Sequence, residues 1–314
     1  MEVDCDIRKG ELNMANKKKM FFALAGIMAV LAGLGLVVVG VAAPVHEGDS
    51  SWFLKRQVAY VLLGVTSAIG AAYIPWKVWL RAAPYLLVIV VLCLCLGFTR
   101  RADVFTLGVP IIMLFAAWLR SKLKFGTISL LATFYIGLVG FLAVTVLANP
   151  NRRERLKVWM GFVEEKADNN VKLNWRVAEQ NRVCQAFSTS KWIGRSTEQN
   201  VPSGLTRGVL ATSARSFGKI FPFSIVVLSV VAGALVAWIG HRMKEPVNVA
   251  KRLYSLQFAI WLCAPACYGL AMVYNLVPFV GRLPLVSFGF ATTVVDGIGL
   301  GILCAALAED PGEK

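Results

Sequence analysis

Between residues 149 and 219 the sequence sets 13 lysines and arginines against six acids, while most other long stretches carry almost no charge. Arg152, Arg153, Arg155, Lys191, Arg207 and Arg215 stand out among these cations. A guanidinium fork matches the oxygens of a phosphate, so the segment could hold an anionic lipid headgroup or pyrophosphate. The six acids are Glu154, Glu164, Glu165, Asp168, Glu179 and Glu198. Any of them could serve as a proton acceptor, but their spacing singles none out. Asp296 is a different case, the only charge within the last apolar run. An acid inside a membrane is a functional candidate because a charge there costs several kcal/mol. Its simplest role is a hydrogen bond to a neighbouring helix; a proton relay would need a second acid at that depth.

Metal chemistry finds little support. The two histidines, His46 and His241, fall on opposite sides of the chain's expected topology. Cys263 and Cys267 share a helix face, but two thiols without a histidine or acid serve as packing residues. Seven cysteines, five of them in apolar runs, give no disulfide framework. No metal site is expected.

The elements that must position these groups are apolar. Of 314 residues, 57% are hydrophobic and 16% charged, with a mean hydropathy of +0.64. A soluble domain carries about a quarter charged residues. Phe21–Ala43 runs 23 residues without a charge, enough for a bilayer core of roughly 30 Å. Its length and the poor cleavage site at Ala42-Ala43-Pro44 favour a retained helix over a signal peptide. Further runs are Gln57–Pro75, Ala82–Phe98, Val104–Leu119, Phe125–Ala148, Ile220–Gly240, Leu253–Val280 and Leu283–Leu307. The expected fold is an all-α integral membrane protein of about eight transmembrane helices. A β-barrel is excluded by run length.

The net charge of +15 does not indicate a nucleic-acid partner. Lys17–Lys19, Lys77 with Arg81, Arg120 with Lys122 and Lys124, and Arg242, Lys244, Lys251 and Arg252 fall on one side if helices alternate. The positive-inside rule then puts both termini in the cytoplasm. The expected organisation is a tail at 1–20, about five helices at 21–148, an extracytoplasmic loop at 149–219, about three helices at 220–308 and a tail at 309–314. The loop is long enough to escape the charge rule. Trp159, Phe162, Trp175, Phe187, Trp192 and Phe217 punctuate it and suggest short helices lying on the membrane face.

Two stretches carry a resemblance. Val277-Pro278-Phe279-Val280-Gly281-Arg282-Leu283-Pro284-Leu285-Val286-Ser287-Phe288-Gly289 resembles the L-P-x-x-G-x-x-L-P-x-x-S-Y-G-G signature of the FtsW/RodA (shape, elongation, division and sporulation) family, with one residue fewer. Its structural members here are Pro278, Gly281, Pro284, Ser287 and Gly289. Residues Thr206 to Gly218 match the framework of that family's T-D-F-I-F-A-x-x-x-E-E-x-G through Thr206, Ala211 and Gly218. Weaker echoes are Phe53 to Gln57 for F-x-x-x-Q, Arg100-Arg101 with Leu107-Gly108, Phe125-Gly126-Thr127, and Arg152 to Leu156 for R-R-x-R-L.

The resemblance implies a multi-pass protein of the bacterial inner membrane that acts in cell-wall synthesis during division or elongation. It implies as partners a lipid-linked peptidoglycan precursor, a class B penicillin-binding protein and other division or elongation proteins. Family members polymerise that precursor, and the aspartate of T-D-F is taken as the general base. Here Arg207 occupies that place and Arg215 falls in the glutamate pair. A guanidinium has no lone pair to accept a proton. No catalytic residue is therefore matched, and the expected role is binding by a chain with degenerate polymerase chemistry. The alternatives are an active glycosyltransferase with a base among the six loop acids, or a precursor transporter. No cofactor is implied, save a divalent cation if the chain is active.

Overall fold

The computed structural model describes residues 22–41, 50–96, 101–122, 156, 181–196, 209–242, 249–277, 283 and 285–308. Among the described residues the regular structure is helical. The helices are α1 (Phe22–Val41), α2 (Ser50–Tyr73), α3 (Trp76–Leu96), α4 (Arg101–Lys122), α5 (181–188), α6 (Val209–Phe217), α7 (Ile220–His241), α8 (Val249–Val273) and α9 (Phe290–Ala308). Among them α1, α7, α8 and α9 are each long and apolar enough to cross a bilayer, and the bent pair α2–α3 makes a fifth if it counts as one span. The run Phe125–Ala148 lies outside the described residues.

Apolar blocks understate α2, α3 and α4. Lys55 and Arg56 sit inside the first turns of α2, and Lys77 and Arg81 inside those of α3. Long cationic side chains can bury their stems and keep the charge at the interface, so a cation near a helix end does not end the helix. At Ile74-Pro75 the chain turns through 110° between α2 and α3. Proline disfavours helix in the residue before it, and the indole N–H of Trp79 donates to the Ala71 carbonyl at 3.0 Å to hold the corner. The last run divides differently from its hydropathy: helix begins only at Phe290, and 285–289 is irregular.

Small residues set the helix pairings. A Cβ on Gly64 would stand 2.8 Å from the Thr293 carbonyl, and one on Gly301 would collide with Ala68. Positions 64 and 68 of α2 thus rise together with 293 to 301 of α9, and the two helices run parallel. On the neighbouring pair, Gly233 faces Ala259 and Gly240 faces Ser255, so α7 and α8 run antiparallel. Close backbone approach through small residues suits a lipid setting, where apolar side chains gain little by meeting one another instead of lipid. The exposed faces carry Leu62, Val65 and Ile69 on α2, Val88, Ile89 and Leu92 on α3, and Val227, Val231 and Trp238 on α7. These are lipid-facing surfaces of an integral membrane protein.

Candidate functional site

One end of the bundle gathers the N-termini of α2, α7 and α9, the C-terminus of α8, helix α6 and the irregular segment 285–289. Asp296 organises much of it from within α9. Its carboxylate is fully buried; one oxygen accepts the Trp261 indole N–H from α8 and the other the Leu285 backbone N–H, both at 2.8 Å. Leu285 has a φ of 59°, a left-handed conformation that a branched side chain seldom adopts. The segment is pressed against α1, where a Cβ on Gly35 would stand 2.9 Å from the Leu285 carbonyl. Ser287 closes it locally: its hydroxyl accepts the Leu283 N–H at 2.8 Å, and its own N–H donates to the Leu283 carbonyl at 3.1 Å. The Gly289 carbonyl accepts the hydroxyl of Thr293 at 3.0 Å, joining the segment to the first turn of α9.

Asp296 therefore makes the interhelical hydrogen bond its sequence suggested, and a second bond that hydropathy could not show. With both oxygens held by neutral N–H donors, it acts as a clasp between α8, α9 and the signature segment. Phe288 packs between Phe53 and Tyr60 of α2, at 5.5 and 5.6 Å. Gln57 lies on the same helical face as those two rings, fully buried, and its amide has no hydrogen-bond partner among the described residues. A buried amide left unmatched costs about 1–3 kcal/mol, which makes Gln57 a candidate binding group. In the sequence Gln57 is marked only as a motif position.

The second part of the site is α6. All of Val209 to Arg215 is buried in it. Arg215 is only 9% exposed, and burial pulls its pKa below the ordinary value. A guanidinium starts so far above neutrality that it stays cationic. Helix α6 ends at Gly218, whose φ of 96° turns the chain into α7. A Cβ there would stand 2.7 Å from the Ile193 Cα, so only glycine fits. Backbone bonds tie 190–196 to this junction: Gly194 N–H to Phe217, Ser196 N–H to Arg215, Lys219 N–H to Lys191 and Ile220 N–H to Trp192. Helix α5 is anchored by Phe187, which meets Phe223 of α7 and Tyr274, and by the Cys184 thiol on the Met272 carbonyl at 3.3 Å. Burial pushes the Cys184 thiol pKa up, so it is a packing group and not a nucleophile.

The expectation of helices lying on the membrane face is corrected at Phe187 and Phe217, while Trp159, Phe162 and Trp175 lie outside the described residues. Phe187 is buried and Phe217 stacks on Phe221 at 4.5 Å, so α5 and α6 turn their aromatic sides into the protein. Of the expected phosphate-binding cations, Lys191 and Arg215 meet in one backbone knot, with Lys191 exposed and Arg215 buried. Arg152, Arg153, Arg155 and Arg207, the signature residues Pro278, Gly281 and Pro284, and the six loop acids lie outside the described residues. No cluster of three potential metal ligands occurs among the described residues.

No family model matches the chain. Over 70 residues it is 40% identical to a probable peptidoglycan glycosyltransferase FtsW of Nitrosomonas europaea, covering 20% of this chain and 18% of that one. A second relative of the same description, from Halorhodospira halophila, is 25% identical over 359 aligned positions, covering 89% of this chain and 88% of the relative. The fold is similar to a chain of a peptidoglycan synthase complex that coordinates polymerisation and crosslinking, with a TM-score of 0.63 at 16% identity over 90% of this chain and 97% of that one. It is similar too to an alanine variant of the rod-shape-determining protein RodA of Thermus thermophilus, with a TM-score of 0.61 at 18% identity over 91% and 97%. The chain is thus similar to FtsW in sequence and to RodA in fold.

Within an FtsW/RodA fold, the arrangement gains a chemical reading. The signature segment and α6 are neighbours, since a Cβ on Gly269 of α8 would touch both Leu210 and Leu283. What they present together is a buried cation, a buried unmatched amide and a clasped carboxylate. Among the described side chains Asp296 is the only carboxylate, and both its oxygens are engaged. The described part of the site encloses a cation, and its one described carboxylate is not a free base.

Proposed function

We propose that this FtsW/RodA-family chain acts in bacterial peptidoglycan synthesis as a binding and scaffolding protein, and not as the polymerase. It would hold the pyrophosphate of a lipid-linked precursor at α6 and dock a class B penicillin-binding protein. The observation that carries this reading is Arg215, a cation enclosed in α6 where the family resemblance sets acids. A charge-assisted guanidinium–phosphate bond is a strong, geometrically selective contact, whereas the same group cannot accept the acceptor sugar's proton. Such binding calls for no cofactor.

The proposed setting is the inner membrane, with about eight spans and both termini in the cytoplasm. The parallel run of α2 and α9 supports that topology, because it requires their N-termini to emerge on one side. That side, which also holds α6, is taken as extracytoplasmic.

The test is polymerisation of lipid-linked precursor by the purified chain, alone and with its class B penicillin-binding protein, beside an Arg207→Asp variant. The expected result is no glycan from the wild type while an FtsW/RodA polymerase makes strands in the same assay. Strands from the wild type overturn the reading and send the search to the loop acids. Binding gives an independent readout. Arg215→Gln should weaken retention of lipid pyrophosphate about tenfold, the equivalent of one charge-assisted hydrogen bond.

A further inference from the structure

The turn at 191–195 presents large apolar side chains outside the spanning helices. Trp192 is 63% exposed and Ile193 75% exposed, side by side at its tip. An aqueous loop gains nothing by presenting both. The turn is well fastened, since Gly194, Ser196, Lys219 and Ile220 all bond across it through their backbone N–H groups, and the Ser196 hydroxyl accepts the Lys191 N–H at 2.9 Å. Gly194 reverses the chain with a φ of 85°.

Its place in the fold explains the exposed pair. The bonds from Lys219 and Ile220 fix the tip to the first residues of α7, a 22-residue apolar span. The Trp192 ring stacks on Phe223, one turn into that span, at 6.2 Å and 13°. Below it the exposed row Val227, Val231 and Trp238 continues down α7. The tip thus stands where an apolar exterior begins.

Charge sets the kind of membrane it would meet. Residues 181–196 and 209–223 carry Arg182, Lys191, Arg195, Arg215 and Lys219 and no acid. Arg182, Lys191 and Arg195 are exposed, while Lys219 is used internally, donating to the Ser188 carbonyl at 2.9 Å above the Phe187 and Trp192 rings.

We propose that the 191–195 turn is a membrane anchor selective for anionic phospholipid, with Trp192 and Ile193 entering the interface and Lys191, Arg195 and Arg182 meeting lipid phosphates. An indole is favoured at headgroup depth, and cations beside it bind the phosphates of acidic lipids. This inference does not depend on whether the chain binds precursor or polymerises it.

The test replaces Ile193 with the photoreactive residue benzoylphenylalanine in the full chain. The protein is reconstituted in nanodiscs of equal phosphatidylcholine and phosphatidylglycerol. After illumination, mass spectrometry of the peptide bearing position 193 identifies what has been captured. The expected adducts are phospholipids, enriched roughly threefold in phosphatidylglycerol over the bilayer composition. Lys191→Gln with Arg195→Gln should return that ratio to the bilayer composition. The same probe at Val231, on the open face of α7, reports folding and should capture both lipids without preference. Three results overturn the proposal, each read while the Val231 probe still captures lipid. They are adducts at 193 that merely match the bilayer, an enrichment that survives the double substitution, and capture of protein or nothing.

Discussion

The α2–α9 interface and the α6–α7 junction lie in the same half of the molecule and are built by opposite means. The first uses side chains, or their deliberate lack: Gly64, Gly297 and Gly301 bring two parallel helices into backbone contact, and Asp296 clasps the neighbouring segment. The second is knitted almost wholly by backbone hydrogen bonds between 190–196 and 214–221. A region held by its backbone leaves its side chains available. There the chain places Lys191, Arg195 and Trp192 on the outside and Arg215 within. The contrast separates a frame closed by small residues and a clasped carboxylate from a junction closed mainly by its backbone.

Substitutions should therefore cost stability in the frame and ligand contacts at the junction. The largest effect is expected at Gly297, where any Cβ collides with the Gly64 backbone. Gly297→Leu should separate α2 from α9. Overpacking of this kind costs roughly 3 kcal/mol or more, a fall in Tm of about 10 °C in detergent. A Tm near wild type would mean the interface can spread without loss.

Asp296 comes next and offers a graded comparison. Asp296→Ala leaves the Trp261 and Leu285 N–H groups buried without acceptors, at about 1–3 kcal/mol each. Asp296→Asn keeps one oxygen and should lose about half as much. The ranking of the two variants by thermal unfolding is the measurement. Equal Tm values would show that the clasp is not made by the carboxylate oxygens.

How much of this was legible in the sequence depended on what each residue's neighbours were. Apolar run length gave α1 and α7 to within two residues, because each is set by the bilayer more than by its partners, whereas the run Leu253–Val280 overran the end of α8 at Val273. The start of α9 was missed because Val286 and Leu285 are as apolar as helix residues, yet their segment is fixed by bonds to Asp296 and Ser287, which hydropathy does not register. The parallel packing of α2 on α9 had a signal, Gly297-x-x-x-Gly301 against Gly64-x-x-x-Ala68, that spacing alone could have raised. The aromatic residues of the large loop misled in part. Phe187 meets Phe223 and Phe217 stacks on Phe221, while Trp192, alone of the three loop aromatics among the described residues, keeps the open position expected of an interfacial ring. The basic character of the segment was plain, but not that Arg215 is enclosed while Lys191 is open.

The junction carries the two smaller predictions. Gly218→Ala forces a positive φ onto a residue with a Cβ, and that atom meets Ile193. The cost is about 1–3 kcal/mol, but it should appear locally, as faster proteolysis at 190–196 with little change in overall Tm. Uniform loss of stability would instead make the junction part of the frame.

Lys219 sharpens the comparison further. Its ammonium reaches the Ser188 carbonyl and lies 5.8 Å and 5.6 Å from the Phe187 and Trp192 rings. Such contacts at a half-exposed site are worth about 0.5–1 kcal/mol in all. Lys219→Met preserves the aliphatic stem over the rings and removes only the charge. If backbone bonds hold the knot, this variant should lose less than about 1 kcal/mol, and proteolysis at 190–196 should be almost unchanged. If the ammonium is the fastening, Lys219→Met should open the segment as much as Gly218→Ala does. The first outcome leaves the fastening to the backbone bonds; the second moves Lys219 into the frame, where Asp296 already stands.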